Sequence, residues 1–185
     1  MKKTHIMVIV LLIASANSYA QYQGNFILDL KGGIISHGST AKGKLGTINN
    51  TEDPSVQFSA GFGYALSNKV HINAEIGYRG FNSFTFQARD MVLNPNVFYQ
   101  LSNGGRLNLY AGVGLFGGLQ FIQSKNKLIE VYNGEQIIYG ASVTPKVQYL
   151  ISDNIGVSGE YRIELQFNSI SKYSHLLNLG IEYYF

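Results

Sequence analysis

A period-two alternation recurs about eight times along this chain, and the charged residues within it keep to one face. Val56, Phe58, Ala60, Phe62, Tyr64 and Leu66 oppose Ser55, Gln57, Ser59, Gly61 and Gly63. Val70, Ile72, Ala74, Ile76 and Tyr78 oppose His71, Asn73, Glu75, Gly77 and Arg79. Similar runs begin near Phe26, Leu93, Leu107, Tyr139, Ile155 and Tyr173. Successive side chains on a strand point to opposite sides, so each run is a strand with one apolar and one polar face. Pro95 and Pro145 interrupt two of the runs, and at Pro95 a bulge or a lost ladder bond is expected.

The charges constrain what the two faces meet. Asp29, Lys31, Glu75, Arg79, Lys146, Glu160, Arg162, Glu164 and Glu182 all lie on polar faces. On the apolar faces, Tyr64, Tyr78, Tyr99, Tyr139, Tyr149, Tyr161, Tyr173 and Tyr183 recur, where an aromatic girdle at a membrane interface needs them. A soluble sandwich also has polar outer faces, but it needs no such banding. A mean hydropathy of +0.02 is what alternating strands give when their two faces cancel.

Connections alternate in length. Ser67-Asn68-Lys69, Ser102 to Gly105 and Ser152-Asp153-Asn154 are short and carry residues that tight turns favour. Each follows a similar phrase: Tyr64-Ala65-Leu66-Ser67, Tyr99-Gln100-Leu101-Ser102 and Tyr149-Leu150-Ile151-Ser152. The other connections, about Ser36 to Pro54, Asn82 to Asp90, Gln120 to Gln136 and Gln166 to Ser171, are mostly longer. Short turns on one side and long loops on the other are the arrangement of outer-membrane barrels, with both termini periplasmic.

The two ends agree. Lys2 and Lys3, an apolar run from Ile6 to Ala14 and the small-x-small Ser18-Tyr19-Ala20 read as a secretory signal peptide over residues 1–20, cleaved to leave 21–185. Removing Lys2 and Lys3 takes two charges from a formal net charge of +3, so the basic balance implies no nucleic-acid partner. With no Cys, the chain has neither a lipid-anchored N-terminal cysteine nor a disulfide framework. The last residues, Asn178-Leu179-Gly180-Ile181-Glu182-Tyr183-Tyr184-Phe185, resemble the C-terminal insertion signal of bacterial outer-membrane barrels, with Asn178, Gly180, Tyr183 and Phe185 at its marked positions. The expected fold is therefore all-β: an eight-stranded antiparallel up-and-down transmembrane β-barrel behind a signal peptide. It is placed in the outer membrane of a Gram-negative bacterium, with lipid and the barrel-assembly machinery as partners. In a barrel of that size the lumen barely holds side chains, so its charges should pair and plug it. No conducting pore is expected.

Candidate chemistry is thin. Gly38 to Leu45 reads G-x-x-x-x-G-K-L, but it lacks the Ser/Thr and the strand-to-helix context of a phosphate loop. It reads as an external loop whose Lys42 and Lys44 could touch acidic polysaccharide. His37, Ser39 and Glu52 carry the residue types of a lipid A deacylase, but a long loop holds no base and nucleophile in register. His175 is expected at the outer rim facing lipid, and His71 in the lumen near a turn. His5 lies in the signal peptide, so the His residues make no metal cluster. Glu75, Arg79, Glu160, Arg162 and Glu164 could form a relay, but a satisfied ion-pair network is the better reading, since a buried charge must be paired somewhere. No catalytic residue, cofactor or metal is expected.

One further resemblance covers about Tyr99 to the end. Leu109-Tyr110-Ala111-Gly112-Val113-Gly114-Leu115, Gly117-Gly118, Tyr139-Gly140-Ala141, Tyr149-Leu150-Ile151-Ser152-Asp153-Asn154-Ile155, Arg162-Ile163-Glu164 and Ser169 to His175 follow one another in an order similar to the TraO family of Bacteroidetes conjugative-transposon transfer proteins. Asp153-Asn154 departs from the Asp-Arg of that pattern. The resemblance implies a non-enzymatic outer-membrane subunit of a DNA-transfer apparatus, partnered by other envelope subunits. The alternatives are a free-standing OmpX- or OmpA-like barrel working through its external loops, and the deacylase.

Overall fold

The computed structural model describes residues 24–43, 46–51, 54–82, 86–102, 105–124, 134–168 and 171–185. The expected signal peptide lies outside them. Nine strands form one antiparallel sheet: β1 Phe26–Gly43, β2 Gly46–Thr51, β3 Ser55–Ala65, β4 Val70–Asn82, β5 Phe86–Gln100, β6 Leu107–Ser124, β7 Gly134–Leu150, β8 Ile155–Gln166 and β9 Ser171–Tyr184. Eight close a ring in the order β1-β3-β4-β5-β6-β7-β8-β9, and β1 pairs back onto β9. β2 stands outside the ring and pairs only with the far end of β1. The fold is the eight-stranded barrel that the alternation implies.

The seam is long. β1 and β9 pair from Ile27↔Tyr184 to Ser39↔Ser171, with one register irregularity at Gly38/Ser39. The C-terminus is stitched to the start of β1, because Phe26 N–H donates to Phe185 O at 2.9 Å and Phe185 N–H donates to Phe26 O at 3.1 Å. Gly24 N–H donates to Ala65 O, and Tyr184 N–H to Asn154 O. Both described ends of the chain thus lie at the rim of the short turns.

The strands run further than the apolar alternation. The segment expected as a loop from Ser36 to Pro54 is largely a hairpin of β1 and β2, and β6 and β7 extend into the span expected as the 120–136 loop. β4 and β5 likewise shorten the 82–90 connection. Past the hydrocarbon a ladder needs only its backbone partners, so Gly, Ser, Thr and Lys continue a strand without an apolar face to mark it.

Pro95 costs ladder pairs without a bulge. β5 and β6 pair at Leu93↔Gly117 and resume in the same register at Asn96↔Gly114. Pro145 does the same between Val143↔Ile163 and Lys146↔Glu160. In both cases the missing N–H removes a donor and the strand runs on.

Candidate functional site: the plugged lumen and its apolar belt

The burial is inside out relative to a soluble protein. Leu30, Phe58, Ile76, Leu115, Val143 and Leu179 are exposed on the outer wall, whereas Glu75, Arg79, Glu164 and Glu182 are at most 1% exposed inside. Only a hydrocarbon surround makes that arrangement stable: an outward charge at midplane would cost about 2–4 kcal/mol, while outward Leu and Phe cost nothing in lipid. Two open apolar grooves, of about 720 and 740 Å³, lie along this wall rather than in the lumen. One is floored by Ala74 and Pro95 between Phe62, Ile72, Val97 and Val113.

All nine charged residues singled out by parity point into the lumen and are buried. They meet across the barrel because a ring of eight strands is about two side chains wide. Lys31 on β1 bonds Glu75 on β4 and reaches Glu160 on β8 at 3.0 Å, with Asp29 at 3.8 Å. Arg162 bonds the same two glutamates, at 2.7 Å to Glu75 and 3.0 Å to Glu160. Two cations and two carboxylates thereby close a square. Above it, Arg79 and Glu164 form a fork of two bonds at 2.7 and 2.6 Å. Below it, Lys146 pairs with Glu182 at 2.7 Å, and its ammonium stands over Phe98 and Tyr110 at 5.1 and 5.3 Å.

Neutral groups take up part of the remaining hydrogen-bonding capacity. Asn178 donates to Glu160 at 2.8 Å and accepts from Gln57; Asn73 donates to Asp29. Tyr184 O–H donates to Glu182 at 2.8 Å, and Gln148 donates to Glu182 and to the Tyr184 hydroxyl. Interior glycines make the space. A Cβ on Gly61 would lie 2.5 Å from Asp29 Oδ1, and one on Gly180 would lie 2.8 Å from Lys31 Cγ. Buried apolar side chains pack around and between the charges: Ile27, Leu150 and Tyr184 cluster at the short-turn end, Val92 lies opposite Gly77 between Glu75 and Arg79, Leu176 lies opposite Arg162, and Phe116 lies under the Arg79 guanidinium.

Sequence parity had not extended to Asp90, which is fully buried, is opposite Arg79 in register and accepts from Gln120 at 3.0 Å. Gln136 extends that chain by donating to Gln120. The signal is present in the sequence, since Asp90 shares the even parity of Asn94 and Asn96, but it lies before Leu93, where the apolar alternation becomes regular. The buried apolar residues were also missed. Nothing in a period-two pattern separates an inward Ile near a strand end from an error.

The terminal residues divide by parity. Asn178 is buried and Gly180 abuts Lys31, while Tyr183 and Phe185 face outward. Phe185 packs with Phe26 at 6.1 Å, Phe62 at 6.4 Å and Tyr183 at 5.8 Å between ring centroids. The eight girdle tyrosines all lie on the outer wall, with Tyr64 half-buried beside Phe26. Tyr161 sits inside the rim, level with Leu177, and its hydroxyl bonds His175 Nδ1 at 2.7 Å. His175 is thus on the outer wall, and His71 is buried in the lumen against Tyr110 at 5.2 Å. Among the described residues, no group of three His, Asp or Glu is placed to hold a metal. The side chains of His37, Ser39, Lys42, Lys44 and Glu52 lie outside the described residues.

No family model matches the chain, and no curated protein does. Solved structures do. Neisserial surface protein A (NspA) superposes with a TM-score of 0.61 at 16% identity, over 88% of this chain and 100% of that one. The chain has the fold of the small outer-membrane β-barrels. OprG from Pseudomonas aeruginosa matches with a TM-score of 0.59 at 11% identity, over 90% of this chain and 99% of that one. Ail, the attachment invasion locus protein of Yersinia pestis, matches at 0.57 and 11%, over 89% and 100%. Identities this low carry the architecture alone.

Proposed function

We propose that the protein is a non-enzymatic, free-standing barrel of the outer membrane. In this reading the termini and short turns are periplasmic, and the extended strand ends with their loops face outward. One observation carries the reading: the lumen is filled by interlocked ion pairs with buried amide and apolar side chains packed around them. A passage plugged in this way has nothing to conduct, so the work falls to the outer surface and loops. The aromatic rims and the stitched terminus favour lipid and the barrel-assembly machinery as its partners.

The narrower reading, a subunit of a conjugative transfer apparatus, rests on the sequence phrases from Tyr99 onward. The matched structures favour the free-standing barrel. The deacylase reading has only the residue types His37, Ser39 and Glu52 behind it. An affinity tag in an external loop, with Phe185 left free, separates the first two after mild extraction from native membranes. The barrel recovered alone supports the proposal, whereas stoichiometric co-purification of transfer-apparatus subunits overturns it. Release of acyl chains from lipid A by the purified barrel would overturn its non-enzymatic part.

A further inference from the structure

Arg89 is an exposed cation on the outer wall of β5, in a strand whose next outward residues are Met91, Leu93, Pro95 and Val97. Its depth follows from its own strand. Ten residues separate it from Tyr99 at the short-turn rim. At about 3.4 Å per residue and a tilt of about 40°, that is roughly 26 Å along the barrel axis, against an apolar band of about 25 Å. Arg89 therefore stands at the far edge of the hydrocarbon, where headgroups begin.

Its surroundings form a notch. In register, Gly80 lies on one side of Arg89 and Phe121 on the other. A Cβ built on Gly80 would meet nothing within 4 Å. Tyr78 lies two positions further toward the membrane centre on β4 and is 47% exposed. Among the described residues Arg89 forms no ion pair, although four other lysines and arginines do so inside the barrel. Glu135, opposite Phe121 on β7, is two strands away, roughly 10 Å. A guanidinium here stands beside a bare stretch of wall, in a plane where anionic oxygens are the natural acceptors.

We propose that Arg89 and the Gly80 notch bind a phosphate of an outer-leaflet lipid headgroup, with the acyl chains lying along Tyr78, Met91 and the apolar wall below. The proposal rests on the orientation inferred above, with the long-loop end outward.

The test uses the full mature barrel in lipid nanodiscs, titrated with bis-phosphorylated lipid A and, separately, with the same lipid A after enzymatic dephosphorylation. Bound lipid is counted by native mass spectrometry. Arg89→Gln should weaken retention of the phosphorylated lipid by about tenfold and leave the dephosphorylated lipid unchanged. Arg106→Gln, at the short-turn end, should change neither. Folding of each variant is checked by its heat-modifiable gel mobility. Equal retention by wild type and Arg89→Gln overturns the proposal, as does an equal loss with the dephosphorylated lipid. Orientation is read independently by labelling Gln87→Cys in intact cells with an impermeant maleimide. Failure to label there overturns the outward placement, while the nanodisc result decides the phosphate site.

Discussion

Removing Arg79 should be costly, and the structure says why removing its partner should cost less. Its guanidinium forks onto Glu164 at 2.7 and 2.6 Å, and its strand partner in register is Asp90. Arg79→Met thus leaves two buried carboxylates without their cation. Breaking a buried pair costs about 3–5 kcal/mol. A separation of about 4 Å at an effective dielectric of about 20 gives roughly 4 kcal/mol, which agrees. Glu164→Met is different, because Asp90 remains opposite Arg79 to take up the freed donors, and a loss of about 1–3 kcal/mol is expected. Arg79→Met/Glu164→Met still strands Asp90, so it should recover only part of the loss. Adding Asp90→Asn should bring stability to within about 1 kcal/mol of wild type. The chain has no Trp, so urea unfolding in lipid vesicles is followed by far-UV circular dichroism. With a slope of about 2 kcal/mol per molar urea, Arg79→Met should lower the midpoint by roughly 2 M. If Glu164→Met costs as much as Arg79→Met, Asp90 is not the second partner. If both fall within about 0.5 kcal/mol of wild type, the ion pairs do not hold the plug together.

Gly61→Val should destabilise the barrel by about 2 kcal/mol or more, because its Cβ would meet the Asp29 carboxylate at 2.5 Å, whereas Gly80→Ala, in open space, should stay within about 0.5 kcal/mol; the same urea assay compares them. Phe185→Ser removes the ring that packs on Phe26, Phe62 and Tyr183 at the seam, and the heat-modifiable fraction recovered from outer membranes should fall several-fold; unchanged recovery would separate the terminal aromatic from assembly. In planar bilayers the purified barrel should show no stepwise conductance, while Lys31→Ala/Arg162→Ala, which takes both cations from the central square, should raise the leak; discrete channels in the wild type would contradict a filled lumen.

Much of this was legible in the chain because alternation is local. Whether residue 75 or 76 faces lipid is decided by the pleat, and a charge in hydrocarbon is costly enough that the pattern is almost free of errors through the membrane. The inward placement of Glu75, Arg79, Glu160 and Glu182 could therefore be read off parity, as could the outward tyrosines. Parity failed where that penalty lapses. Beyond the belt, β1 and β2 continue through Gly, Ser and Thr with no apolar face to announce them, and Asp90 lies on the part of β5 that precedes the regular alternation from Leu93. Partnership across the lumen was not local. That Lys31 meets Glu75 and Glu160, that Arg79 chooses Glu164 over Asp90, and that Gly61 leaves room for Asp29 depend on which strands face one another across a ring closed by β1 and β9. Sequence determined the two faces of each strand, since those answer to solvent one residue at a time. Only the closed barrel decided the pairing and the plug, because both depend on the width and stagger of a lumen that no single strand contains.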